Sequence, residues 1–123
     1  MLNFKKSAVL LALLPVITLW TQTANGETLK TKNFNVKITR NCPEGYVTCN
    51  NVKYFGKNLK TGKSISLTGK TIHTTGADGV TPGRFLGYEF RNHNYLYQVR
   101  ADGTLLIYQG KKLIVKEQGA LTY

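Results

Sequence analysis

Residues 84–115, RFLGYEFRNHNYLYQVRADGTLLIYQGKKLIV, decide the fold class. Leu86, Tyr88 and Phe90 alternate with small or polar neighbours, a turn follows at Asn92-His93-Asn94, and Tyr95, Tyr97 and Val99 resume the alternation. Period two puts successive side chains on opposite faces of a strand. Asp102-Gly103 is the strongest hairpin signal in the chain, because a two-residue turn needs positive φ and glycine adopts it without strain. It leads into Leu105 and Ile107 with Tyr108, and Gln109-Gly110 then turns the chain into Leu113 and Val115. The whole segment reads as an antiparallel meander.

The same pattern extends toward the N-terminus. The segment 74–83, TTGADGVTPG, concentrates three glycines and a proline and is expected to be the longest loop. Before it, Ile65 and Leu67 alternate within a strand from Ser64 to His73; parity then changes toward Ile72, which makes Gly69 a bulge candidate. Lys60-Thr61-Gly62-Lys63 supplies the turn into that strand. An earlier strand is expected over Tyr46–Phe55. Val47 and Cys49 face one way there and Val52 and Tyr54 the other, so a bulge near Asn50-Asn51 would reconcile the halves. Phe34, Val36 and Ile38 mark a further strand with one buried face, and Thr28 to Lys32 adds a short leading one. No stretch after the leader shows helical spacing. The expected fold is all-β, a small antiparallel meander closing as a barrel or sandwich of about seven to eight short strands.

The N-terminal segment has a different character. Lys5 and Lys6 precede an apolar run from Ser7 to Trp20, and the chain then reaches Ala24-Asn25-Gly26. A basic start, an apolar centre and small residues before a cut are the layout of a secretory signal peptide. Cleavage is expected after Gly26, giving a signal helix over 1–26 and one exported domain over 27–123. The apolar run of 14 residues contains Pro15, and it falls short of the roughly 20 needed to cross a bilayer. The expected location is the periplasm or the extracellular space.

An exported domain of this size gains from a staple, since a small chain buries proportionately little surface. Cys42 and Cys49 survive cleavage and are expected to form a disulfide, as an even pair does in an oxidising compartment. Residues 27–123 carry fifteen Lys and Arg against six Asp and Glu, a net charge of +9. Such a balance favours anionic surroundings.

Candidate chemistry is sparse. His73 ends a strand and His93 sits in a tight turn between asparagines, so neither has the nucleophile and acid that a catalytic triad needs. Four of the six acids, Glu27, Glu44, Asp78 and Asp102, fall at the terminus or in turns, while Glu89 lies mid-strand as an outward acid. No ligand spacing suggests a metal, and no cofactor motif occurs.

Two surfaces are expected to carry binding. One is the 74–83 loop, with Asp78 within it and Arg84 at its exit. The other is a basic and aromatic set comprising Phe85, Arg91, Arg100, Tyr108 and Lys112. Such a set resembles a single-strand nucleic-acid surface, but export removes most nucleic acid from reach. The expected function is therefore a non-enzymatic binding protein of the bacterial envelope, its basic surface directed at an anionic envelope component. The alternatives are an inhibitor or immunity protein that blocks an acidic toxin or hydrolase, and a small envelope hydrolase.

Overall fold

The computed structural model describes residues 26–123. The expected signal peptide thus lies, except for Gly26, outside the described residues. Among the described residues nine strands, more than the seven to eight expected, form one antiparallel sheet: β1 (Gly26–Lys30), β2 (Phe34–Arg40), β3 (Val52–Asn58), β4 (Ser64–Thr75), β5 (Pro82–Asn92), β6 (Tyr95–Arg100), β7 (Thr104–Gln109), β8 (Lys112–Gln118) and β9 (Ala120–Thr122). Their spatial order is β8-β7-β6-β5-β4-β3-β2-β1-β9. Each strand up to β8 lies beside its sequence neighbours, as a meander requires. The two ends of the order, β8 and β9, are separated by Gly119 alone. One continuous segment therefore pairs first with β7 and then with β1, and the sheet curls into a nearly closed barrel.

Backbone proximity at Gly119 makes the crossing possible. A Cβ there would lie 2.3 Å from the Lys30 carbonyl oxygen and 3.0 Å from Leu29 Cδ1. The Gly119 N–H donates to the Gly103 carbonyl at 2.9 Å. Glu117 fastens the other side of the seam: Oε1 accepts from Thr31 Oγ1 at 2.7 Å and from the Asn33 N–H at 3.0 Å, and Oε2 accepts from Asn33 Nδ2 at 2.7 Å.

Inside the barrel, Leu29, Val36, Ile38, Val52, Val99 and Leu105 pack around Tyr54, Tyr88 and Phe90, all of them fully buried. Each such side chain contributes about 1.5–3 kcal/mol by leaving water. The aromatics form a column along the lumen, with ring centroids 5.1 Å apart for Phe85–Tyr88, 6.4 Å for Tyr88–Phe90, 5.0 Å for Phe90–Tyr54 and 5.5 Å for Tyr54–Tyr97.

The structure corrects four details of the sequence reading. The strand expected from Tyr46 begins at Val52, so residues 41–51, not 74–83, form the longest connection. Tyr46 is 66% exposed, whereas Cys49 reaches the core through the Cys42–Cys49 disulfide, whose Cα atoms are 5.8 Å apart. Thr71 anchors this loop by accepting from the Cys49 N–H through Oγ1 and donating its own N–H to the Cys49 carbonyl, both at 2.9 Å. The parity change at Asn50-Asn51 is the start of a strand and not a bulge within one. Second, β4 and β5 extend into the glycine-rich segment and leave only residues 76–81 between them; Pro82 sits at a strand start, where its missing N–H costs no ladder bond.

Third, pairing is regular at Gly69, opposite Val52 and Phe90, and the irregularity falls on either side of His73 instead. Gly69 serves close approach: a Cβ there would meet the Glu89 carbonyl oxygen at 1.9 Å. The irregularity, together with Gly87 at φ 141°, turns Phe85 inward and leaves Leu86 38% exposed. Fourth, a register shift between Ile107 and Tyr108 leaves Leu113 exposed while Val115 packs on the core.

Two outcomes test the seam. Gly119→Ala is expected to destabilise the domain by roughly 1–3 kcal/mol through overpacking against β1, read from the urea midpoint. For Glu117, burial opposes ionisation, but the hydrogen bonds from Asn33 and Thr31 outweigh it and lower its pKa below the usual carboxylate range. A depressed folded-state pKa means that this stabilisation is complete above the unfolded-state pKa and disappears as pH falls through the folded one. Glu117→Gln should therefore cost about 1 kcal/mol at neutral pH, and the difference from the parent should close in acid.

Candidate functional site

Strand alternation sorts the charges once the barrel has an inside. Val36 and Ile38 point inward on β2, so Lys37 points outward; Val52, Tyr54 and Gly56 line the interior of β3, so Lys53, Phe55 and Lys57 point outward. The registers of β1 to β4 arrange these side chains in three rows. Lys30, Asn35, Lys57 and Ser64 lie side by side, then Thr28, Lys37, Phe55 and Ser66, then Gly26, Thr39, Lys53 and Thr68. Four exposed lysines thus surround a phenylalanine that is 51% exposed. Strands lie about 4.8 Å apart and alternate residues of one strand about 6.6 Å apart, so neighbouring positions match the spacing of closely set anions.

Among the described residues, no carboxylate shares this face. Glu27, the one acid within β1 to β4, donates nothing to it, because its Oε1 accepts the Tyr88 hydroxyl proton on the interior side. The first outward acid is Glu89 on β5, opposite Lys70 and 4.0 Å from Arg91. Lys53 Nζ donates to Thr68 Oγ1 at 2.9 Å, which steadies one corner. Between the lysines a shallow depression of about 250 Å³ is lined by Thr28, Lys30, Asn35, Lys37, Phe55 and Lys57, with Val36 beneath. The arrangement offers cations on a rigid lattice with one apolar surface at its centre.

The sites expected from the sequence are distributed differently. Asp78 is committed to its own loop: its carboxylate accepts from the Thr81 hydroxyl, from the Thr81 N–H at 2.8 Å and from the Val80 N–H at 2.9 Å. These bonds, the Thr81 hydroxyl first, hold its pKa down at about 2. Arg84 is exposed on β5, and its N–H donates to Thr74 Oγ1 at 2.7 Å.

Of the basic and aromatic set, Arg91 and Tyr108 share a row across β5 to β7 through Leu96, and Lys112 lies at the start of β8. Arg100 stands at the opposite end of β6, facing Gly87. Phe85 is turned into the end of the barrel, so the five residues do not form one patch.

That end is closed by side chains. The Arg40 guanidinium lies 5.0 Å from the Phe85 ring centre and 5.3 Å from that of Tyr88, and Arg40 Nε donates to the Tyr88 hydroxyl at 3.1 Å. Burial first, then the bond to Glu27, raises the Tyr88 pKa well above its ordinary value. His73 packs edge-on to Phe85 with centroids 5.6 Å apart, and its Nε2 is 3.0 Å from Thr71 Oγ1 while Nδ1 is buried without a partner among the described residues.

The lysine face is not visible in any one segment of the sequence, although its signal is present. Lys37, Lys53 and Lys57 occupy polar positions of alternating segments; what links them is the pairing of β2 with β3, which no single segment reveals. No family model, curated protein or solved structure matches the chain.

Proposed function

We propose that the domain is an exported, non-enzymatic binding protein whose β1–β4 lysine face takes an anionic partner of the cell envelope, an acidic polysaccharide or a phosphorylated glycolipid. One observation carries this reading: Lys30, Lys37, Lys53 and Lys57 surround exposed Phe55 on a face that, among the described residues, holds no carboxylate. A face built for solubility alone would intersperse both signs. Lysine ammonium groups act as point charges toward phosphate, sulfate or carboxylate, and an exposed ring among them offers a flat apolar surface to a sugar or lipid. Export is supported by the leader pattern and by the Cys42–Cys49 disulfide, which persists in oxidising compartments. Among the described residues no helix is long and apolar enough to cross a membrane.

The test compares two variants of equal charge loss. In the first, Lys30, Lys37, Lys53 and Lys57 become Gln; in the second, Arg84, Arg91, Arg100 and Lys112 do. Binding is measured to heparin, and to vesicles containing phosphatidylglycerol against vesicles of phosphatidylethanolamine alone. The first variant is expected to lose at least about tenfold in affinity, with each lysine near an anionic surface contributing about 1 kcal/mol before screening. The second should lose markedly less. Equal losses would show that net charge, and not this face, governs binding, and would refute the proposal. The two ligands separate polysaccharide from lipid as the preferred anion.

A further inference from the structure

The two ends of the barrel are finished differently. Arg40, Phe85 and Tyr88 fill one end, whereas at the other the inward side chains stop short of the rim and leave a pocket of about 460 Å³. At about 30 Å³ per water, this is room for roughly fifteen waters, and it falls within the size range of small-molecule sites. Its wall comes from six strands: Phe34 on β2, Tyr54 on β3, Ile65 on β4, Tyr97 on β6, Ile107 on β7 and Val115 on β8.

The floor is aromatic. Tyr54 is fully buried between Phe90 and Tyr97, its ring tilted by 53° to the first and 60° to the second, and burial raises its pKa far above the ordinary tyrosine value. Gly56 gives its ring the space to lie there, since a Cβ at 56 would stand 2.6 Å from the ring edge. The rim is polar, with Asn58, Thr61 and Ser64, and Lys63 is the cation lining the pocket. Among the described residues, no carboxylate lines it.

From this apolar, aromatic-walled cavity with the cation Lys63 in its lining, we infer that the open end of the barrel is a ligand site for a small amphiphile, an apolar chain carrying one anionic head of the fatty-acid type. The chain enters the lumen as far as Tyr54 and Tyr97, and the head stays at the rim beside Lys63. Apolar burial supplies most of the affinity; Lys63 selects the sign of the head. The site is separate from the outer lysine face, so either can exist without the other.

The test uses octanoate, octanol and octylammonium, which share a chain and differ in head charge. Their binding is read from the fluorescence of the tyrosines, the chain's single tryptophan being Trp20 in the leader. Octanoate is expected to bind tightest and octylammonium weakest. Lys63→Gln, on an exposed turn, should weaken octanoate about three- to fivefold and leave octanol unchanged. Ile65→Trp should block all three while heparin binding stays intact, and the variant lacking the four outer lysines should still bind octanoate. The inference is overturned if octanoate and octylammonium bind alike, if none binds, or if a folded Ile65→Trp binds octanoate as the parent does. Loss of octanoate binding in the four-lysine variant would equally overturn it, by placing the ligand on the outer face.

Discussion

The seam between β8 and β1 is the constraint on which the other features depend. A meander of strands has two free edges, and exposed edges invite pairing with other chains. Here one eleven-residue segment, Lys112 to Thr122, belongs to both edges: it leaves β7, passes through Gly119, and joins β1. Glycine is required because the crossing brings its backbone against the Lys30 carbonyl. Glu117 then ties the free flank to the turn after β1 through Thr31 and Asn33. Closure converts a twisted ribbon into a container, and from that point every strand residue is either inside or outside.

The inside is organised by size and polarity. An aromatic column runs along the lumen from Phe85 to Tyr97, and the Tyr88 hydroxyl within it is placed between two partners. At the closed end, the Tyr88 hydroxyl donates to Glu27 and accepts from Arg40, so a charge pair that would be costly in a dry core is satisfied through the phenol between them. At the open end, the column terminates in Tyr54 and Tyr97 beneath an unfilled pocket. The outside is organised by charge: β1 to β4 present lysines with no acid among them in the described residues, while β5 begins the part of the wall where Glu89 meets Arg91 and faces Lys70. The asymmetry of the outer wall is the basis of the proposed function, and the asymmetry of the two ends is the basis of the second site.

Much of this was legible in the residues. The all-β class, the antiparallel meander, the hairpins at Asp102-Gly103 and Gln109-Gly110 and the disulfide follow from alternation, turn chemistry and cysteine spacing. Errors fell where periodicity breaks. At Leu86 and Leu113 a register shift reversed the face of an apolar residue, and nothing local announces such a shift except a nearby glycine. At Tyr46 and Val47 apolar side chains are exposed because the Cys42–Cys49 loop leaves the sheet before β3 begins. β9 is three residues long and too short to show alternation, yet it closes the barrel. The candidate surface was the least legible feature, because a lattice of side chains is a property of strand neighbours. Asp78 and Arg84 drew attention as loop residues, but Asp78 spends its carboxylate on Thr81 and Val80.

In the proposed function the outer face of β1 to β4, and not the glycine-rich loop or the β5–β8 wall, meets the anionic partner. The most direct test is to follow the backbone amides of the isotope-labelled domain by NMR during titration with a sulfated oligosaccharide. The largest, saturating shifts are expected on Lys30, Lys37, Phe55 and Lys57, with Asp78, Arg84, Arg91 and Tyr108 nearly still. Shifts centred on the residues around Asp78 and Arg84, or spread evenly over every basic strand, would contradict it.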